Sequence, residues 1–146
     1  MALRSIKELL AHAAEGEYTI GAFNVCNMDT LGAVLAAARQ ERSPVILQMS
    51  MGARRFVPSI PAFVALMKWM AEETPVPVAL NRDHGPTPQA AAEAIGWGFS
   101  GAMFDGSQLP YAENARQPRR LAAWAHERGA CIEAELGRLP GFEDEV

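Results

Sequence analysis

Two hydrophobic rhythms alternate along the chain. Short, nearly unbroken apolar runs occupy residues 19–25, 44–50, 76–80 and 99–104, and each gives way to polar residues at its end. Runs of that length and continuity read as strands buried on both faces. A fifth strand is read at 130–137, where two glutamates interrupt the apolar pattern. Between the runs, apolar residues recur three and four apart, as on one face of a helix. Leu3, Ile6, Leu9 and Leu10 predict a helix over 4–14, ended by Gly16. Leu31, Val34, Leu35 and Ala38 mark a second, capped at Asp29 and stopped before Ser43-Pro44. A third runs from about 59 to 70, after a loop at Gly52-Ala53-Arg54-Arg55. Ala90, Ala91, Ala94 and Ile95 mark a fourth, capped by Thr87 with Pro88 at its first position and closed near Gly96 to Gly98. A proline deep inside a helix loses a backbone hydrogen bond, so the last main helical run is placed from Pro118 through Leu121, Trp124 and Ala125 to Gly129. Residues 138–146 read as loop.

This rhythm, with no repeat, linker or low-complexity tract, demands parallel strands with helices outside. Either a doubly wound sheet or a (β/α) barrel satisfies it. The polar residues favour the barrel. Asn24, Ser50, Asp83 with His84, Asp105 with Ser107, and Glu135 fall at the C-terminal ends of five successive strands. An open sheet gathers its ligands at one switch point, whereas a barrel draws them from several strand ends around one mouth.

The stretch 76–88, VPVALNRDHGPTP, carries the most chemistry. An apolar strand ends abruptly in a carboxylate beside an imidazole, Asp83 and His84. Strict alternation would send them to opposite sides of the sheet. Both reach one site only if the backbone already turns there, which Gly85 permits. The plain alternative is an ordinary strand-to-helix turn with a hydrogen-bonded Asp and His.

Composition narrows the class of partner. The 146 residues are 49% hydrophobic and 21% charged, enough for one domain with a real core. A formal net charge of −4 gives no reason to expect nucleic acid or an anionic membrane surface as a partner. No apolar run is long enough to span a bilayer, and the N-terminus lacks a signal-peptide core. Cys26 and Cys131 are too few for a disulfide framework and read as reduced core residues of a cytoplasmic protein. His12 and His126 are placed on the outside of helices.

The blocks GAFNVCNMDTL (21–31), SPVILQMSMGAR (43–54), DHG (83–85), AIGWGFSGAMFDGS (94–107), YAEN (111–114), AH (125–126) and EAELGRLPGFED (133–144) occur in unbroken order. Together they resemble the class II, metal-dependent ketose-bisphosphate aldolases, which act on fructose or tagatose bisphosphate. The resemblance implies an incomplete (β/α)8 TIM-barrel type of α/β fold, with residues 1–146 supplying about five of eight units of a single domain. It implies reversible zinc-dependent cleavage of a ketose 1,6-bisphosphate to dihydroxyacetone phosphate and glyceraldehyde 3-phosphate. Asp83 matches the catalytic aspartate that exchanges a proton with the C4 hydroxyl, and Glu143 the glutamate assigned to proton transfer at C3. His84 matches a zinc-binding histidine; Asp105 and Glu135 match carboxylates near the metal. Asn24 and Ser50 match substrate-contacting positions.

The sequence also departs from the family. Asn81-Arg82 stands where the family usually has His-Leu, and Arg82 puts a cation where an apolar residue normally packs. The family's other two zinc histidines and its phosphate-binding segments lie beyond Val146. A barrel takes about 250 residues, so the chain is expected to be inactive alone, and to self-associate or join a complementary half. Inward faces including Ile20, Ala22, Ile46, Val78 and Ala102 are expected to lack partners on one side. A second reading is a non-catalytic aldolase-like fragment or partner protein that associates with a full-length aldolase or with the missing half. A third is a different (β/α) enzyme acting on another sugar phosphate.

Overall fold

The computed structural model describes residues 2–137. Five strands, β1 (Gly21–Asn24), β2 (Val45–Met49), β3 (Val78–Gly85), β4 (Gly101–Phe104) and β5 (Cys131–Ala134), alternate with helices α1 (Ile6–Glu15), α2 (Met28–Glu41), α3 (Ile60–Glu72), α4 (Pro88–Trp97) and α5 (Tyr111–His126). All neighbours pair in parallel, in the order β1-β2-β3-β4-β5. A doubly wound sheet would reverse that order at a switch point. Consecutive neighbours throughout are the winding of a (β/α) barrel, here five units of it.

Alternation along the strands sorts the residues into two faces. Val45, Leu47, Met49, Val78, Leu80, Ala102 and Phe104 share one core with α2 to α5, which contribute among others Leu31, Leu35, Val64, Met67, Ala94 and Ala125. Complete burial of a side chain such as Leu47 or Met49 stabilises by roughly 1.5–3 kcal/mol. The opposite face carries Ile46 and Ala79, which pack on Leu9 and Ile6 of α1 and on Ile20. Residues 2–4 run beneath β3, where the Arg4 N–H donates to the Val78 carbonyl and the Val78 N–H to the Ala2 carbonyl. Val78 and Ala102 therefore face the helices, not the barrel interior. Ile46 and Ala79 have α1 as their partner.

The caps explain most helix starts. Ser5 and Glu8 form a capping box on α1, and Ser59 and Thr87 cap α3 and α4 through their hydroxyls. For α2 the cap is Asn27, whose side chain accepts from the Thr30 N–H; Asp29 sits in the first turn, where the helix dipole favours an anion. Gly52–Arg55 wind into a one-turn 3-10 helix. Pro118 lies inside α5, which starts seven residues before it. The carbonyl of Asn114 accordingly lacks the N–H that residue 118 would otherwise offer. Both cysteines are half-buried, and His12 and His126 are exposed. Among the described residues no helix is long and apolar enough to cross a membrane.

Candidate active site at the strand mouths

β3 stays in the sheet through Gly85, but its pairing with β4 slips between Arg82 and Gly85. The slip is made by His84, whose φ of 36° lies in the left-handed region. A residue with a Cβ holds such a conformation at a cost of roughly 1–2 kcal/mol. The turn that brings Asp83 and His84 to one side is therefore borne by the histidine, not by Gly85. Glycine at 85 serves a different need: a Cβ there would stand 2.7 Å from the Met103 carbonyl oxygen of β4.

The turned imidazole meets the two strand ends beside it. His84 Nδ1 lies 3.2 Å from Asp105 Oδ2 and 3.7 Å from Glu135 Oε2, and Nε2 lies 4.0 Å from Asp83 Oδ1. One ligand atom from each of His84, Asp105 and Glu135 falls within 4.8 Å of the others. All four side chains are half-buried, open enough to be reached and dry enough for their charges to matter. Burial alone would raise the Asp105 pKa. The Ser107 hydroxyl and N–H, the latter 3.0 Å from Oδ1, outweigh it together with His84 and hold the carboxyl below its ordinary value.

Asn24 and Ser50, at the ends of β1 and β2, line a separate cleft of about 320 Å³ with Val25, Cys26, Ala53 and Phe56. That cleft shares no lining residue with the histidine–carboxylate cluster. Arg82 connects the two regions. Its side chain is 2% exposed, and Nη1 donates to the carbonyls of Met49 at 2.8 Å and Ser50 at 2.6 Å. The cation expected to disturb apolar packing instead caps the carbonyls at the end of β2. On the interior face, Asn81 Nδ2 donates to Glu133 Oε2 at 3.3 Å, reaching across Gly101. Glu143 lies outside the described residues, as does the loop expected at 138–146.

The sequence pattern alone points to no role for Glu133 or Asn114, and gives Ser107 only a place at a strand end. Asn114 is buried on the same stripe of α5 as Leu121 and Ala125. A polar residue in that phase is the signal that marks it.

Comparison with known proteins places the chain in a family. The model of the family "Fructose-bisphosphate aldolase class-II" matches residues 4–146. The fructose-bisphosphate aldolase of Geobacillus stearothermophilus is 42% identical over 148 aligned positions, covering 100% of this chain and 52% of that protein. The Staphylococcus aureus enzyme of the same name is 37% identical with the same coverage. Among solved structures, the YdjI aldolase of Escherichia coli K12 superposes with a TM-score of 0.86 at 32% identity, over 92% of this chain and 52% of that one. Fructose-bisphosphate aldolase from Campylobacter jejuni gives 0.82 at 26%, over 93% and 47%. The chain spans about half the length of the curated relatives it matches. Matched by the family model over nearly its whole length, the chain belongs to the class II fructose-bisphosphate aldolase family.

Proposed function

We propose that this chain supplies the first five strand mouths of a zinc-dependent ketose-bisphosphate aldolase site. The observation that carries the reading is the convergence of His84, Asp105 and Glu135 from three adjacent strands, with Asp83 beside them. One imidazole nitrogen and two carboxylates form a donor set that zinc accepts, and a cation between the two carboxylates relieves their mutual repulsion. When bound, zinc supplies a Lewis acid that polarises the ketone of the substrate.

The remaining work belongs to the chain's own residues. In cleavage the C3–C4 bond of fructose or tagatose 1,6-bisphosphate breaks. Asp83 takes the C4 hydroxyl proton as the aldehyde, glyceraldehyde 3-phosphate, forms. The electron pair of the broken bond stays with C3, and Glu143 delivers a proton there to give dihydroxyacetone phosphate. Condensation reverses both transfers. Asn24 and Ser50, in their cleft at the β1 and β2 ends, orient the substrate.

A complementary half, supplying further ligands and the phosphate grips, completes the site. A surface suited to it flanks β1, where Phe23 is 52% exposed beside an apolar groove of about 440 Å³ walled by Ala33, Val34, Ala37 and Pro44. Contiguous apolar surface of this kind marks an interaction site. The rival reading, a non-catalytic partner of a full-length aldolase or of its missing half, is favoured by the same groove. The test is metal content after dialysis together with a cleavage assay on residues 1–146, with and without a co-expressed polypeptide corresponding to the relatives' second half. Weak zinc retention and no cleavage alone, with both restored by the complement, are expected. Stoichiometric zinc and cleavage by residues 1–146 alone would overturn the need for a complement. A stable complex without cleavage would favour the non-catalytic partner.

A further inference from the structure

Asn114 stands in the first turn of α5, on the stripe that packs against the sheet, and is 5% exposed. Its Nδ2 donates to the backbone carbonyl of Glu135 at 2.7 Å. Its Oδ1 has no hydrogen-bond partner among the described residues and is aimed at Gly106, next to Asp105. The amide cannot usefully turn over, because Oδ1 would then face the Glu135 carbonyl oxygen, acceptor against acceptor. Gly106 is the seat for this amide: a Cβ at 106 would collide with Asn114 Oδ1 and Cγ. An unpaired buried acceptor is costly to a fold, so the contribution of this side chain is the single bond to Glu135 and the wedge against Gly106.

From this geometry we infer that Asn114 is a positioning residue, setting the β5 end that carries Glu135 against the β4 end that carries Asp105. The inference rests on the reading of His84, Asp105 and Glu135 as metal ligands. The two strand ends are held differently. β4 ends at Phe104, but the Asp105 N–H still donates to the Gly85 carbonyl at 2.9 Å. β5 ends at Ala134, one residue short of its carboxylate. There the Asn114 amide of α5 binds the Glu135 carbonyl. Partners behind the ligands in this way orient the donor atoms, and losing one weakens metal binding roughly 10- to 100-fold.

Asn114→Asp tests this, because it keeps the shape and removes the donor. Cobalt(II) is the probe, titrated to millimolar concentration into the 1–146 chain and followed by its visible absorption, whose bands report ligand geometry. The expected result is a roughly 10- to 100-fold loss of cobalt affinity with a shifted spectrum, in a variant whose circular dichroism matches the native chain. Should Asn114→Asp not fold, Gly106→Ala, which crowds the amide from the other side, is expected to shift the same bands. Native affinity and spectrum in the folded variant would overturn the positioning role and leave the ligand reading standing. Weaker binding with an unchanged spectrum would also overturn it, since lost stability alone accounts for that. A native chain that binds no cobalt, or binds it equally after His84→Ala, would overturn the ligand reading and this inference with it.

Discussion

The two faces of the sheet are built from opposite materials. Toward α2 to α5 the strands present Val45, Leu47, Met49, Val78, Leu80, Ala102 and Phe104, all apolar and nearly all fully buried. Toward the interior, the same strands present Ile46 and Ala79 low down against α1, then Gln48, Asn81, Gly101 and Glu133 around an open cavity of about 390 Å³. Asp83 stands above these on β3. One face is a store of buried hydrocarbon. The other loses its apolar character from bottom to top and ends in ionisable groups that bury little. Stability and chemistry therefore occupy different sides of the same strands, and a substitution should report on one or the other according to its parity.

The largest expected effect lies on the interior side. With a complementary half supplied, Asp83→Ala should lower turnover by roughly 10²- to 10⁴-fold, the scale of a general acid–base. Its urea midpoint should stay close to native. Near-normal turnover would take Asp83 out of the mechanism. An equally severe loss of stability would break the separation of the two faces.

Leu47 and Gln48 are neighbours on β2 with opposite parity. Leu47→Ala removes a side chain with no exposed surface, and such truncations cost about 2–5 kcal/mol. Gln48→Ala, on the cavity side, should stay within about 0.5 kcal/mol. Equilibrium denaturation of the pair measures both, and equal losses would show that the interior face also carries the fold.

His84 joins the two considerations in one residue. Gly relieves a φ of 36° that a Cβ makes costly, roughly 1–2 kcal/mol, and adds unfolded-state entropy worth about 0.5–1 kcal/mol in the other direction. His84→Gly should therefore change stability by no more than about 1.5 kcal/mol while removing cobalt binding. A loss of several kcal/mol would mean that the imidazole contacts at Asp105 and Glu135 hold the fold together.

Much of this is legible in the sequence because periodicity reports burial. The five strands, the parallel winding and the gathering of Asp83, His84, Asp105 and Glu135 at strand mouths all follow from where apolar runs stop. What escapes depends on local geometry that periodicity does not encode. Gly85 looks like the source of the turn, yet the left-handed residue is His84, within the β3–β4 register slip. Pro118 looks like a helix start, but one missing N–H is tolerable in a sixteen-residue helix packed along one side. Arg82 looks misplaced because its carbonyl partners, Met49 and Ser50, lie more than thirty residues earlier. Asp29 looks like a cap because Asn27 offers a weaker pattern until Thr30 is seen to complete the box.

The smallest effect tests whether the packing of α1 on the interior face is tuned by charge. Glu8, exposed on α1, has its pKa lowered from about 4.5, first by the Ser5 N–H and then by the Ser5 hydroxyl. Because the folded value lies below the unfolded one, the unfolded chain binds the proton more readily. The contribution is therefore fully present above the ordinary value and is lost as pH falls through the depressed one. Solvent screening keeps it slight, since the group is exposed. Thermal midpoints of the native chain and Glu8→Gln, compared from neutral pH downward, should differ slightly at neutrality and converge in acid. A gap that stays constant down to about pH 3 would mean that Glu8 contributes through shape alone, as a helix former in the first turn, and that the ionised capping box does not help seat α1 against Ile46 and Ala79.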